Sequence, residues 1–297
     1  MIPAGRGTPH LEPPATAFAL APIAALDPIA LDELNASAEL LTRVDRKYML
    51  PASALPSLLE RLPRGTLALE IGGTRSARYD SVYFDTSDLE SYHLAAYGRR
   101  RRYKIRTRSY VDSDASFLEV KTRGGRAVTV KERVSIDPSG TTSLQGDALD
   151  YATATLGEAG IRPPEHEPFV PVLTTRYRRA TLLVPGGTRA TIDVDLEWIE
   201  HGAHARTLST PRSVIVETKS GGSAGPIDRT LWSLGHRPTT VSKFGTGLAA
   251  LRPGLPANRW APVLRAHFAQ AMHSPAAPTA AALAGRTTIT TPRKDPS

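Results

Sequence analysis

The chain has 297 residues, of which 40% are hydrophobic and 22% charged, a composition typical of a soluble globular protein. Its formal net charge of +8 favours an anionic partner without specifying it, because nucleic acid, phospholipid and phosphate esters all fit. The absence of cysteine excludes disulfide scaffolds, thiolate zinc sites and cysteine nucleophiles.

Both ends of the sequence have a low-complexity composition. Residues 1–27 are rich in Pro, Ala and Gly and are predicted to form a flexible leader, and residues 253–297 a low-complexity tail. Within that tail, the apolar patch from Trp260 to Met272 is a candidate for a short helix that docks on the body. No segment reaches the roughly 18 apolar residues of a membrane span, so a cytoplasmic protein is expected. The folded body is predicted at residues 28–252.

Leucines at helical spacing predict two short helices early in the body. The first precedes Arg43, and the second occupies residues 51–62 with Pro51 in its first turn. Two later helices are predicted at residues 144–158 and 226–235.

Most of the remaining body alternates between apolar and polar residues, which predicts β-strands. Glycine pairs at Gly124-Gly125 and Gly186-Gly187 are typical of hairpin turns. Many antiparallel strands with few helices predict an α+β fold around a closed or strongly curved sheet. The predicted strands lie at residues 78–85, 101–111, 116–123, 126–136, 170–184, 189–200 and 212–219.

Five of the strands carry charged residues at every second position, which places the charges of each strand on one face. For any single strand, a solvated face is the simpler explanation. Five such strands together favour a polyanion enclosed by the sheet, because Arg and Lys on one face otherwise repel each other. The interspersed carboxylates fit a hard divalent cation that bridges protein and phosphate. These faces comprise Arg102, Lys104, Arg106 and Arg108; Glu119, Lys121 and Arg123; Lys131 and Arg133; Asp193, Asp195 and Glu197; and Glu217 and Lys219.

The basic run from Arg99 to Arg108 has other possible explanations, since such runs also bind nucleic acid or membrane surfaces or act as targeting signals. The interleaved strand formers favour a strand in its second half, and residues 99–101 are interpreted as a solvated turn at its start. No nucleic-acid partner is expected. No phosphate-binding glycine loop or nucleophile elbow is present, and His201 with His204 is a weak metal pair.

Eight short segments in a fixed order resemble the VTC domain, the polyphosphate-polymerase domain of the vacuolar transporter chaperone complex, within the CYTH/triphosphate-tunnel superfamily. The similarity runs over roughly residues 40–250. The segments are RVDRKY (43–48), SVYFDT (81–86), KIRTR (104–108), FLEVKTR (117–123), VKERVSI (130–136), TRYRRA (175–180), VIVETKS (214–220) and SKFGTG (242–247).

This resemblance implies an eight-stranded antiparallel β-barrel tunnel with peripheral helices. It implies that Glu217 holds Mn²⁺ or Mg²⁺, and face parity adds Glu119 as a further carboxylate on the metal side. In TRYRRA, Arg176 and Arg178 are alternatives to Arg179. The candidate catalytic residues are Lys47, Arg106, Arg108, Lys121, Arg179 and Lys243, and the candidate substrate-binding residues are Lys104, Lys131, Arg133 and Lys219.

The expected activity is transfer of the ATP γ-phosphoryl group to a growing polyphosphate chain. Hydrolysis of an inorganic or organic triphosphate by the same fold is the alternative, and a non-catalytic polyphosphate-binding module is a third possibility. The sequence does not specify the oligomeric state.

Overall fold

The computed structural model describes residues 20–37, 44–123, 129–162, 167–203 and 205–269. Predictions that concern residues 1–19, Arg43, the Gly124-Gly125 turn, His204 and residues 270–297 lie outside the described residues.

The described residues form a mixed fold dominated by strands. The strands are β1 (Asp27–Ile29), β2 (Val44–Pro51), β3 (Leu67–Leu69), β4 (Ala77–Asp85), β5 (Arg102–Tyr110), β6 (Ala115–Arg123), β7 (Thr129–Ile136), β8 (Val170–Val184), β9 (Thr188–Glu200), β10 (Thr207–Ser209) and β11 (Ser213–Ser220). The main helices are α1 (Leu31–Ser37), α2 (Leu55–Glu60), α3 (Glu90–Ala96), α4 (Asp147–Glu158), α5 (Pro226–Ser233) and α6 (Lys243–Leu251). The described chain ends in short helical turns at Asn258–Trp260, Ala261–Val263 and Leu264–Phe268.

All strands belong to one 11-stranded sheet whose main path runs β2-β11-β9-β8-β4-β5-β6-β7, and neighbours on this path are antiparallel. The predicted large antiparallel sheet is therefore confirmed. The predicted closed barrel is not, because within the described ranges β2 and β7 are not hydrogen-bonded to each other. Edge strand β7 carries Lys131 and Arg133 at alternate positions, and edge strand β2 carries Arg46 and Lys47 in succession; such charges on edge strands disfavour direct pairing.

Helices cover the outer face of the sheet because alternate strand residues there are apolar. On β5 and β6, Tyr103, Ile105, Leu118 and Val120 pack in one cluster with Leu156 of α4. A second cluster joins residues of β2, β8, β9 and β11 to helices α2 and α5. Burial of each large side chain contributes about 1.5–3 kcal/mol. The helices packed on the outer face therefore hold the sheet in a curved form, which brings the inner faces of distant strands together.

Helix α6 and the C-terminal turns fill one end of the inner face. Phe244 of α6 stacks on Tyr83 of β4 with 5.1 Å between ring centroids, and Phe268 contacts Trp198 of β9. The segment approaches the sheet closely, since a Cβ atom at Gly247 would overlap the Trp198 ring. The inner face therefore has an apolar, filled end and a charged end.

Several elements differ from the sequence prediction. Strand β2 was not predicted because its alternation breaks at Met49, an inner residue that packs in the apolar end. The predicted helix at 51–62 begins later, since Pro51 ends β2 and Pro56 lies in the first turn of α2. Helices α3 and α6 were also not predicted.

Segments beyond the predicted limits of the folded body pack against it. Leu20 and Ile23 lie in the cluster with α2, and Trp260 and Phe268 lie in the cluster around α6. The Gly186-Gly187 turn is confirmed between β8 and β9, with φ of 86° and 75°. None of the helices in the part of the chain that the structure describes is long and apolar enough to cross a membrane.

Candidate functional site

The strand register brings the predicted basic residues onto one concave face. Lys104 lies opposite Lys121, which lies opposite Lys131, so β5, β6 and β7 contribute a row of three lysines. One step along, Arg106, Glu119 and Arg133 form the next row. Residues directly opposite in antiparallel strands share a face, so the predicted inner face of these strands is confirmed.

The opposite wall carries Lys47, Glu217 and Lys219. Lys47 of β2 lies directly opposite Glu217 of β11, and its ammonium is 3.5 Å from a Glu217 carboxylate oxygen. Lys219 contacts the other Glu217 oxygen and lies 3.2 Å from Asp45. Although burial opposes ionisation of Glu217, Lys47 and Lys219 hold its pKa well below the usual range. The carboxylate is thus ionised and lies on the concave face.

The two walls are close enough to interact electrostatically. Burial lowers the pKa of Lys104 and Lys121, and in both cases the Lys47 ammonium lowers it further. The Lys121 side chain is exposed to solvent. The curved sheet therefore holds β5 and β6 opposite β2.

Glu119 is the centre of a buried ionic cluster. Its side chain is 2% exposed, and Arg106 donates to its Oε2 at 2.5 and 2.7 Å. Lys131 lies 2.6 Å from Oε1, with Arg108 at 3.9 Å. Burial raises the pKa of Glu119, but these cations outweigh it and place the pKa far below the usual range. This carboxylate already has a full set of cationic partners.

Asp193 organises a second buried cluster. Arg179 binds it in a bidentate manner, at 2.6 and 2.9 Å, and Lys243 of α6 contacts the same carboxylate. Asp193 was noted only as part of a charged strand face, and no role was predicted for it. Its position opposite Arg179 on β8 depends on the register between distant strands.

A β-bulge in β9 makes part of its predicted charged face wrong. Asp195 and Glu197 were predicted to lie beside Asp193, but Asp195 has φ of 54° and the β8–β9 register shifts next to it. The bulge reverses the alternation, so Asp195 lies 3.9 Å from Arg178 and Glu197 lies 3.5 Å from Arg176.

Alternation along β8 separates the three arginines of TRYRRA, because Arg179 lies on the face opposite to Arg176 and Arg178. Arg179 faces the inner wall, whereas the side chains of Arg176 and Arg178 are 53% and 37% exposed. Of the three alternatives, only Arg179 joins the concave cluster.

Tyrosines beneath the arginines were not predicted as part of the site. Arg179 lies 5.2 Å from the ring centroids of both Tyr79 and Tyr177, which stack on each other. Arg108 donates to the Tyr177 hydroxyl at 3.2 Å, and the Lys243 ammonium lies 4.2 Å from that ring. Burial alone would raise the pKa of Tyr177, but Arg108, Arg179 and Lys243 lower it overall. Tyr79 and Tyr177 alternate with basic residues along β4 and β8. This alternation is the sequence pattern that could have identified them as part of the site.

The remaining predicted residues lie at the two margins of the site. Lys104 donates to Ser242, the residue before α6, at 2.8 Å. Arg133 is exposed on edge strand β7, with its guanidinium 5.0 Å from the Phe117 ring centroid.

The predicted metal ligands differ in how well they fit a divalent cation. Glu217 is ionised, 18% exposed and supplies hard oxygen donors, so it suits Mg²⁺ or Mn²⁺ completed by phosphate oxygens and water. Glu119 fits poorly because its oxygens already contact three cations. Across the described ranges, no three acidic or histidine side chains converge as a ready metal cage.

The sequence matches the family model of the VTC domain over residues 42–252. The match spans most of the chain, and the chain therefore belongs to the VTC domain family. None of the curated proteins matches it.

Solved structures show weaker similarity. A Hippeastrum protein, described as an adenylyl cyclase candidate with a dominant triphosphatase activity, has 18% identity and a TM-score of 0.47, with 70% of this chain and 96% of that chain covered. A Pyrococcus horikoshii OT3 protein has 14% identity and a TM-score of 0.33, covering 65% and 86%. A conserved hypothetical protein from Pyrococcus furiosus has 14% identity and a TM-score of 0.32, covering 65% and 88%.

The buried ion pairs predict a stability that depends on acid pH. Burial disfavours ionisation of Asp193, but Arg179 and Lys243 outweigh it and lower its pKa from 3.8 to about 2. Because the folded-state pKa is below that of the unfolded chain, this carboxylate stabilises the fold above pH 3.8 and stops doing so as pH falls through about 2. The loss is on the order of 2 kcal/mol.

We therefore expect the melting temperature to fall between pH 4 and pH 2, and Asp193→Asn to flatten that slope while lowering stability at neutral pH. Thermal melts across this range measure both effects. Asp150→Asn, on the exposed side of α4, is the matched control. An equally steep slope in the Asp193 variant would contradict the assignment.

Proposed function

We propose that the protein is a metal-dependent polyphosphate polymerase that transfers the ATP γ-phosphoryl group to the end of a polyphosphate chain. The observation that supports it most is the cross-strand row of Lys104, Lys121 and Lys131 facing the ionised Glu217 wall. A row of like charges is unfavourable in the free protein and becomes favourable when a polyanion binds. Membership of the VTC domain family is consistent with this substrate class.

In this proposal the lysines and arginines hold the phosphates in complementary ways. Lys104 and Lys121 supply point charges to the triphosphate, while the Arg106 guanidinium is held by Glu119 and Tyr83 so that its orientation is fixed. Such preorganised cations stabilise charge that develops during phosphoryl transfer. Lys243 and Arg179 are held by Asp193 in the same way.

The transfer itself needs no covalent intermediate on the protein. A terminal oxygen of the chain forms a bond to the γ-phosphorus, the bond from that phosphorus to the β,γ-bridging oxygen breaks, and ADP leaves with the electron pair. Glu217 would hold a divalent cation, which when bound neutralises phosphate oxygens. We propose a cytoplasmic location for this reaction, because ATP is its proposed substrate.

One observation favours triphosphatase activity as a second candidate. Phe244 and Trp198 fill one end of the concave face, which suits a short substrate better than a chain threaded along the axis. Water in place of the chain end would then accept the phosphoryl group.

Incubation of the purified protein with ATP and Mn²⁺ or Mg²⁺ tests the proposal. We expect acid-insoluble chains that an exopolyphosphatase degrades, together with ADP. Release of phosphate without chains would support the triphosphatase, and tight polyphosphate binding without turnover of either kind would support a binding module.

Glu217→Ala is expected to reduce the rate at least ~100-fold and to abolish Mn²⁺ binding in the presence of triphosphate, since a lost charge-stabilising contact costs about 3 kcal/mol. Glu197→Ala, on the outer face, is the matched control. Retained metal binding in the Glu217 variant would contradict its assignment.

A further inference from the structure

A cavity of about 180 Å³ adjoins the lysine row at the ends of β5 and β6. Its lining includes the basic residues Arg102, Lys104, Lys121 and Arg123, as well as Tyr103, Thr122 and Thr129. Lys104 and Lys121 therefore belong both to the cavity and to the row that faces Glu217. The cavity is a basic continuation of the concave face toward the surface.

The outer part of this cavity repeats the like-charge arrangement of the lysine row. Arg102 lies directly opposite Arg123 in the β5–β6 register, where two cations repel. Burial lowers the pKa of Arg102, and the Arg123 and Arg259 guanidiniums lower it further. These side chains lie far enough along β5 and β6 to extend the basic surface beyond the proposed triphosphate site.

The basic surface continues to the exposed turn before β5. Arg102 donates to the backbone carbonyl of Arg99 at 2.7 Å, which ties the cavity to the turn. Arg99, Arg100 and Arg101 in that turn are all solvent-exposed. The turn, interpreted from sequence as merely solvated, thus lies at the end of a continuous basic track.

Basic residues continue from the lysine row in both directions along β5, and the Arg102 side leads to the exposed turn at residues 99–101. Phe244 and Tyr83 occupy the inner face on one side of Lys104, whereas Arg102 and Arg123 lie on the other. A chain anchored on the lysine row meets Arg106 on the Tyr83 side, and Arg102 and Arg123 on the other side.

We propose that the cavity of Arg102 and Arg123, with the turn at residues 99–101, is a subsite for the distal phosphates of a linear polyphosphate chain. This inference rests on the proposed function and adds a substrate-length preference to it. Chains longer than a triphosphate gain contacts to both arginines, while triphosphate itself ends within the lysine row.

The test compares affinities of inorganic triphosphate and of a long linear polyphosphate for the Arg102→Gln/Arg123→Gln variant, without ATP or turnover. We expect affinity for the long chain to fall about tenfold, as for two solvent-accessible charge pairs. Affinity for triphosphate should fall far less. The salt dependence of long-chain binding should also become shallower, because fewer counterions are released.

Matched variants keep the test decisive. Arg102→Lys/Arg123→Lys should restore much of the long-chain affinity, and Arg229→Gln on α5 should change neither affinity. Arg99→Gln/Arg101→Gln, in an exposed turn, should show the same selective loss without affecting folding.

Equal losses for both ligands, or no loss for the long chain, would overturn the subsite. Wild-type protein that binds neither ligand would instead overturn the proposed function, and the subsite with it.

Discussion

Replacement of Lys104 and Lys121 by glutamine should weaken triphosphate binding about 100-fold, since each charge-assisted hydrogen bond to phosphate is worth about 1.5 kcal/mol or more. The same double variant should be slightly more stable than the wild type when no anion is bound. The two lysines lie opposite each other, so their removal relieves repulsion of a few tenths of a kcal/mol. If the variant binds triphosphate more weakly but is more stable without anion, the two lysines serve binding at some expense of stability.

Calorimetric titration with triphosphate and thermal melts without anion measure the two effects. Burial and neighbouring cations lower the pKa of both lysines in the free protein, and bound phosphate should raise it. Arg229→Gln, which removes one positive charge on α5 instead of two on the concave face, should behave as wild type.

The proposed role of the lysines would be wrong if the variant retained wild-type affinity. It would also be wrong if stability and affinity fell together, because the lysines would then support the fold.

Replacement of Glu119 by glutamine should destabilise the free protein by about 3–5 kcal/mol, the range for breaking a buried ion pair. The variant leaves Arg106, Arg108 and Lys131 clustered around a neutral side chain. Triphosphate should restore part of the lost melting temperature, because phosphate oxygens supply the missing negative charge.

Glu132→Gln is the matched control, because Glu132 lies on the exposed outer face of the adjacent strand β7. Thermal melts of both variants, with and without triphosphate, separate the outcomes. If Glu119→Gln were as stable as the control and instead lost Mn²⁺ binding, Glu119 would be a metal ligand, as its strand position predicts.

Sequence periodicity correctly predicted which charged residues share a strand face. Basic residues at every second position of β5, β6 and β7 were predicted to share a face, and the register confirms it. This succeeds because side-chain alternation along a strand is a property of the backbone alone. Strand β2 was not predicted because its alternation breaks at Met49. The inner position of Met49 is apolar because α6 fills that end of the face.

The tertiary structure decided which charges meet and where the face ends. Asp193 was recognisable as a charged strand residue, but its pairing with Arg179 and Lys243 joins segments far apart in sequence. The bulge at Asp195, which turns Asp195 and Glu197 away from the face of Asp193, depends on the register between β8 and β9. The sequence by itself determined that the inner face is basic, because residue type and a two-residue period suffice for that. Only the packing of helices against both faces determined its curvature, its filled end and its open β2–β7 edge, because these depend on contacts between distant segments.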